Sequence, residues 1–80
     1  MNQQYTIVGY KECMFYQMAT HYLLSKKPHI HSMPIPREIW PAFIEKLQSK
    51  NKQIGKHKTS PLIFCGDQFI GGYDELRKHM

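Results

Sequence analysis

The chain has 80 residues, of which 41% are hydrophobic; this suits one compact domain and is too apolar for an intrinsically disordered chain. Its apolar runs are far shorter than the ~20 residues of a membrane-spanning helix, and the opening residues lack the basic and apolar segments of a secretory signal. Eleven Lys and Arg against six Asp and Glu give a net charge of +5, which favours anionic partners. We expect a single soluble domain over residues 1–80.

The cysteine content indicates the redox setting. Cys13 and Cys65 are the only two cysteines of the chain. A secreted domain of this size normally depends on several disulfides, so two isolated thiols favour a reducing, cytoplasmic setting.

The first quarter of the chain predicts a strand followed by a helix. Residues 4–10 are rich in β-branched and aromatic side chains, which indicates a buried strand. Apolar residues then recur at i, i+4 and i+8 over residues 14–25, which predicts an amphipathic helix that ends near Pro28. The predicted apolar face of this helix contains Met14, Phe15, Met18, Ala19, Tyr22 and Leu23.

The middle of the chain predicts a second strand and a second helix. Residues 29–33 alternate in polarity, as a strand does. The apolar spacing after Arg37 predicts a helix that starts no earlier than about Glu38, because Pro41 fits only a first helical turn. Trp40 and Phe43 are predicted to be core residues of this helix. The polar residues 49–58 are predicted to form a loop.

The last part predicts a hairpin and a short helix. Residues 62–65 and 68–70 are joined by Gly66-Asp67, a typical turn pair, and Gly71-Gly72 leads into a helix over residues 73–79. Acidic residues in its first turn and basic residues in its last match the helix dipole. The order β-α-β-α-β-β-α predicts an α/β fold in which three helices flank a mixed four-stranded sheet.

Cys13 occupies the junction between the first strand and the first helix. Helix-terminal N–H groups and the positive end of the helix dipole favour thiolate over thiol there, and Lys11 adds positive charge. The alternative is an inert turn residue.

Two further motifs frame a possible ligand site. Pro61 stands at the start of a strand, and a cis bond there would expose the N–H and C=O of Ser60 to an extended peptide; an ordinary trans bond is the alternative. Gly71 and Gly72 leave helix-terminal N–H groups open to a ligand, and Asp74 could accept from an ammonium; the alternative is a simple helix cap.

These motifs, in this order, resemble the glutaredoxin family. The matching segments are Tyr5-Thr-Ile-Val-Gly-Tyr-Lys-Glu-Cys13, Thr59-Ser-Pro-Leu-Ile-Phe64 and Ile70-Gly-Gly-Tyr-Asp-Glu-Leu76. Glutaredoxins carry a strand–Cys-x-x-Cys–helix, a Thr-Val-Pro with cis proline, and Gly-Gly-x-Asp before the last helix. The resemblance covers almost the whole chain and implies a thioredoxin-like fold with glutathione as co-substrate.

The resemblance also implies residue roles. Cys13 is the nucleophile, the main chain of Ser60 pairs with the cysteinyl residue of glutathione, and Pro61 is cis. The N–H groups from Gly72 to Asp74 hold the γ-glutamyl carboxylate. Tyr10 stands where family members often have a cation for the glycyl carboxylate, so Lys11 or Lys58 substitutes for it. The implied glutathione-binding set is Lys11, Lys58, Thr59, Ser60, Pro61, Gly72, Tyr73 and Asp74.

One departure from the family pattern sets the mechanism. Cys-Pro-Tyr-Cys is replaced by Cys13-Met14-Phe15-Tyr16, so Tyr16 stands at the position of the resolving cysteine. The resemblance then implies a monothiol mechanism that deglutathionylates mixed disulfides of protein substrates. One alternative is a non-catalytic module that binds glutathione, a protein partner or a [2Fe–2S] cluster; bulky Met14 and Tyr16 disfavour the cluster. The other alternative is a basic nucleic-acid binder. No membrane partner is expected.

The remaining polar features have simpler interpretations. Cys65 is predicted to be a small core hydrophobe rather than a resolving cysteine. His29 and His31 share one strand face but lack a third ligand, so no metal site is predicted. The basic run before Thr59 is predicted to attract anionic glutathione; it contains Lys50, Lys52, Lys56, His57 and Lys58.

Overall fold

The computed structural model describes residues 4–27 and 29–79. These residues form β1 (Tyr5–Gly9), α1 (Met14–Lys26), β2 (Ile30–Pro34), α2 (Trp40–Lys50), β3 (Leu62–Cys65), β4 (Gln68–Gly71) and α3 (Tyr73–His79). Two single-turn 3-10 helices, Arg37–Ile39 and Lys52–Ile54, precede and follow α2. The predicted order of strands and helices is confirmed. None of the helices in the two described segments is long and apolar enough to cross a bilayer.

The four strands form one mixed sheet in the order β2-β1-β3-β4. β1 runs parallel to β2 and antiparallel to β3, and β3 runs antiparallel to β4. In this register Tyr5 lies opposite Cys65, and Val8 lies opposite Leu62. The end of β1 and the start of β3 therefore lie side by side at the same end of the strands. The loop that follows β1 and the loop that precedes β3 meet there.

The sheet separates two apolar clusters, because successive residues of a strand point to opposite faces. The cluster against α1 and α3 contains Tyr5, Ile7, Tyr16, Ala19, Leu23, Ile63, Cys65 and Leu76. The cluster against α2 contains Val8, Trp40, Ile44, Ile54 and Leu62, with Phe43 packed against it. Trp40 and Phe43 thus contribute to the core, as predicted.

The buried stripe of α1 differs from the predicted one. Its buried residues are Tyr16, Ala19 and Leu23, whereas Met14 is 69% and Met18 39% exposed. The predicted helical period was right, but the prediction that Met14, Phe15 and Met18 face the core was wrong. Tyr16 takes the inward position because its hydroxyl finds a partner within the fold, so its polar end is satisfied there.

The segment around α2 contains more regular structure than predicted. The helix itself begins at Trp40, with Pro41 in its first turn and a 3-10 turn before it. The predicted loop over residues 49–58 begins only after Lys50, and its 3-10 turn buries Ile54. Asn51 starts that turn by accepting a hydrogen bond from the backbone N–H of Gln53 at 3.1 Å. Helix α1 ends at Lys26, one residue beyond the predicted end at about Ser25.

Candidate active site

Cys13 lies between β1 and α1, where the sequence placed it. Its backbone N–H donates to the carbonyl of Tyr10 at 3.0 Å, which closes the turn after β1. Its own carbonyl accepts from the N–H of Gln17 at 3.2 Å, so Cys13 is the N-cap residue of α1. The thiol makes no capping hydrogen bond and is half-buried. It is therefore directed away from the helix axis and towards the neighbouring loop.

The neighbouring loop is the one that leads into β3. The peptide bond between Ser60 and Pro61 is cis, and both residues are buried. The Sγ of Cys13 donates to the carbonyl oxygen of Ser60 at a distance of 3.5 Å. The sulfur is thus fixed beside the main chain of the residue that the sequence assigned to the cysteinyl part of a peptide ligand.

The side chain of Ser60 adds a second connection between the two loops. Its Oγ accepts a hydrogen bond from the backbone N–H of Tyr10 at 3.3 Å, although Ser60 is only 6% exposed. Gly9 permits this close approach, because a Cβ there would overlap both Ser60 Oγ and the ring of Tyr16. Sequence reasoning considered only the main chain of Ser60, since nothing local in the sequence shows that Tyr10 needs an acceptor.

A cavity of about 500 Å³ opens beside this pair of loops. Phe15 and Tyr73 stand at one side of it, with their ring centroids 6.2 Å apart. The other lining residues are Ile54, His57, Thr59, Ser60, Pro61, Phe69, Ile70, Gly71, Gly72, Asp74 and Glu75. Of the eight residues that the resemblance implied for glutathione binding, six line this cavity: Thr59, Ser60, Pro61, Gly72, Tyr73 and Asp74. Cys13 adjoins it through Ser60, which it contacts, and through the nearby Phe15.

The start of α3 is capped from within the helix. The carboxylate of Glu75 accepts a hydrogen bond from the backbone N–H of Gly72 at 2.8 Å. This is the returning half of a capping box, in which the third helical residue reaches back to the N-cap. Gly72 therefore already has an acceptor, and Tyr73 and Asp74 supply the next helix-terminal N–H groups. Gly71 has φ +134°, where a Cβ would meet the side chain of Glu75.

His57 is a cavity residue that sequence reasoning treated only as part of a basic loop. Its Nε2 lies 3.0 Å from the carbonyl oxygen of Thr59, and its ring packs edge-on against Phe69 at 5.6 Å. A Cβ on Gly72 would come within 3.2 Å of its ring. His57 thus bridges the loop before β3 and the start of α3, a proximity that depends on the tertiary fold.

Tyr16 fills the core beside the loop that carries Cys13. The residue is 6% exposed, and its hydroxyl shares a hydrogen bond of 2.7 Å with Ser32 on β2. It follows Cys13 by three positions, but its side chain points into the sheet rather than into the cavity. Tyr16 therefore has a structural role as a link between α1 and β2.

The two lysines proposed for the glycyl carboxylate lie outside the cavity. Lys11 is exposed and lines a separate depression with Glu12 and Arg37. Lys58 is also exposed, and its main-chain carbonyl accepts a hydrogen bond from the indole N–H of Trp40 at 3.0 Å. Among the described residues that line the cavity, His57 is the basic one.

Cys65 lies at the other end of the sheet. It is buried opposite Tyr5, the first residue of β1, whereas Cys13 follows the last. Burial raises the pKa of Tyr5, and the hydrogen bond and charge interaction with the Cys65 thiol raise it further. β1 spans about 13 Å at the usual rise per residue, well beyond the Cα separation of a disulfide. Within residues 4–27 and 29–79, no group of three or more His, Cys, Asp or Glu side chains is placed to hold a metal ion.

Neither a model of a known protein family nor a curated protein sequence matches this chain. Solved structures do resemble it. Glutaredoxin 1 from Francisella tularensis, complexed with cacodylate, gives a TM-score of 0.86 at 22% identity, over 96% of this chain and 91% of that one. A dithiolic glutaredoxin from Trypanosoma brucei brucei gives a TM-score of 0.74 at 24% identity, over 95% of this chain and 75% of the other. The chain therefore has the thioredoxin-like fold of glutaredoxins, as the sequence predicts.

Proposed function

We propose that this chain is a glutaredoxin that removes glutathione from mixed disulfides, as a thiol–disulfide oxidoreductase that uses Cys13 alone. The observation that carries the proposal is the contact between the Cys13 thiol and the carbonyl of Ser60, at a distance of 3.5 Å. A nucleophilic sulfur in that position lies next to the backbone that would pair with the cysteinyl residue of glutathione. The substrates of this activity are glutathionylated or disulfide-containing proteins.

The cavity beside Ser60 suits a tripeptide. Its volume of about 500 Å³ lies within the range of about 300–1,000 Å³ that small-molecule sites occupy. Ser60 and Pro61 supply main-chain groups at one side, and Thr59 lies beside them. The γ-glutamyl carboxylate is received by the N–H groups of Tyr73 and Asp74 at the start of α3, and the Asp74 side chain accepts from the γ-glutamyl ammonium.

The reaction needs one protein thiol and two glutathione units, one carried by the substrate and one free in solution. The Cys13 thiolate attacks the glutathione sulfur of a mixed disulfide, so that a Cys13–glutathione bond forms and the substrate sulfur leaves as a thiolate, which takes a proton. A second glutathione thiolate then attacks the glutathione sulfur bound to Cys13. Oxidised glutathione leaves, and the Cys13 thiolate is restored. One free glutathione is consumed in each cycle: its thiolate supplies the electron pair and its proton balances the one taken by the substrate thiol, while the glutathione from the substrate stays at the disulfide level and leaves in oxidised glutathione.

The burial of Tyr16 supports a single-cysteine route. A dithiol route needs a second thiol that can reach the Cys13 sulfur, and residue 16 instead contributes a phenol to the core. Cys65 is buried at the far end of β1 and is too distant for a disulfide with Cys13. External glutathione therefore resolves the Cys13 intermediate.

The charge of the chain supports an anionic co-substrate. The exposed basic residues of the segment that leads to Thr59 attract glutathione, which carries net negative charge, and so increase its encounter rate. This group contains Lys50, Lys52, Lys56 and Lys58, with His57 at the cavity itself. A reducing cytoplasm, where glutathione keeps thiols reduced, is the setting in which such an enzyme works.

Turnover of a small mixed disulfide between cysteine and glutathione tests the proposal. We expect the wild-type chain to turn it over in the presence of glutathione, and the Cys13→Ser variant to lose that activity. Cys65→Ala is the matched control, because it removes the other thiol and should retain turnover. A chain that shows no turnover, but whose Ser60 and Asp74 amide NMR signals shift when glutathione is added, would be a binding module instead. Tight, salt-sensitive oligonucleotide binding without either result would indicate a nucleic-acid binder.

A further inference from the structure

A second groove adjoins the proposed glutathione cavity. It has a volume of about 450 Å³ and is lined by Met14, Gln17, Met18, His21, Tyr22 and Tyr73. Tyr73 lines both spaces, and its ring packs against Phe15 at the side of the glutathione cavity. The groove begins at Met14, the residue directly after Cys13, and follows α1 away from it. We refer to these six residues as the α1 groove.

The α1 groove exposes large apolar side chains. Met14 is 69% and Met18 39% exposed, while the rings of Tyr22 and Tyr73 pack edge to face at 6.4 Å. Solvent-exposed methionines next to aromatic rings are costly to leave in water and adapt to apolar groups of different shape. The groove therefore favours a partner with an apolar side chain and does not demand one particular residue.

The rim of the α1 groove is positively charged. The Nζ of Lys26 lies 5.5 Å from the centre of the Tyr22 ring, and the guanidinium of Arg77 lies 5.8 Å from the centre of the Tyr73 ring. The whole of α1 contains no Asp or Glu. A partner segment with acidic residues is therefore complementary to this rim, and a basic one is not.

We propose that the α1 groove binds the part of a protein substrate that flanks its glutathionylated cysteine, and that it selects segments with an apolar side chain beside acidic residues. The proposal rests on the proposed function, because it places the substrate cysteine at Cys13. From Met14 to Tyr22 the helix rises about 12 Å, which an extended chain spans in about four residues. The selected side chains thus lie within about four residues of the substrate cysteine.

Binding without chemistry tests the groove independently of turnover. The probe is a peptide in which Ser replaces the substrate cysteine, with Leu or Phe and two Glu residues within four positions of that Ser. It is added to the Cys13→Ser protein, which is labelled at its methionine methyl groups. We expect the NMR signals of Met14 and Met18 to shift, and that of Met33, an exposed methionine on β2, to stay in place. A peptide with Lys in place of Glu should bind more weakly by about tenfold. Equal shifts at all three methionines, no shift, or equal binding of both peptides would overturn the proposal.

Turnover of glutathionylated peptides separates the two proposals. Met18→Gln should raise the KM for the acidic peptide by about three- to tenfold and leave the KM for the small cysteine–glutathione disulfide unchanged. Leu24→Gln is the matched control, because Leu24 is 50% exposed on the same helix but outside the groove. If the small disulfide is turned over and Met18→Gln has no effect on the peptide, the groove proposal fails and the proposed function stands. If neither substrate is turned over while the Met14 and Met18 signals shift, the proposed function fails and the groove remains a binding site.

Discussion

The phenol of Tyr16 and the hydroxyl of Ser32 share a hydrogen bond of 2.7 Å between α1 and β2. This bond satisfies the polar end of an aromatic ring that is otherwise packed in the core. It explains how the chain accommodates tyrosine at a position where glutaredoxins commonly carry a second cysteine. In this chain that residue links α1 to β2, an edge strand of the sheet.

A double-mutant cycle tests this link. Tyr16→Phe should lower the free energy of unfolding by about 1 kcal/mol, because it removes one part-buried hydrogen bond and keeps the ring. The Tyr16→Phe/Ser32→Ala double mutant should lose about 0.5–1 kcal/mol less than the sum of the two single-mutant losses, as measured by urea unfolding. Additive effects of the two substitutions would show that the bond contributes no stability. Turnover of the small mixed disulfide should survive Tyr16→Phe.

Ser60→Ala tests the connection between the loop that follows β1 and the loop that precedes β3. The substitution removes the acceptor of the Tyr10 N–H and keeps the main chain that contacts Cys13. We expect a loss of about 1–2 kcal/mol in unfolding free energy, since a part-buried donor loses its partner. Ser49→Ala on the exposed face of α2 is the control and should stay within about 0.5 kcal/mol of wild type. Equal stability of the two variants would contradict the assigned role of Ser60.

Glu75 gives a prediction about glutathione affinity. Its carboxylate lines the cavity and stands at the N–H of Gly72, close to the donors proposed for the γ-glutamyl carboxylate. Glu75→Gln keeps a hydrogen-bond acceptor but removes a like charge, so the KM for glutathione should fall by about two- to threefold. Glu38→Gln is the control: Glu38 lies in a separate depression away from the cavity, so its substitution should leave the KM for glutathione unchanged. An increased KM for Glu75→Gln would indicate that the carboxylate itself helps to bind glutathione.

Tyr5 gives a prediction for the pH dependence of stability. Its pKa is raised by burial first, and then by the hydrogen bond and charge interaction with Cys65. The folded chain therefore holds the phenol proton more tightly than the unfolded chain does. Stability should be fully retained below the ordinary tyrosine pKa of about 10 and should decrease as the pH rises above it. Tyr5→Phe should be less sensitive to pH over that interval in urea unfolding; an unchanged pH dependence would contradict the assignment.

The sequence predicts the order of elements because each is marked by local features. Periodicity, the turn at Gly66-Asp67 and the position of Pro41 depend only on neighbours along the chain. The same local signals placed Cys13 at a helix start and Pro61 at a strand start, which is where both lie. Their contact then follows from strand order.

Several site features that the sequence did not reveal depend on tertiary contacts. The inward turn of Tyr16 requires Ser32, which is sixteen residues away. The bond between Ser60 and Tyr10 and the approach of His57 to Gly72 also join distant segments. The phase of α1 was mispredicted for the same reason, because a helix with many apolar residues offers several possible core faces and the sheet decides among them.

The covalent intermediate gives the most direct test of the account. The wild-type chain is mixed with a small excess of the cysteine–glutathione disulfide, quenched with acid and analysed by intact mass and peptide mapping. We predict one glutathionyl group, attached to Cys13 and released when reduced glutathione is added, with Cys65 unmodified. An adduct on Cys65, no adduct, or a Cys13 adduct that glutathione does not remove would contradict a catalytic cycle carried by Cys13 alone.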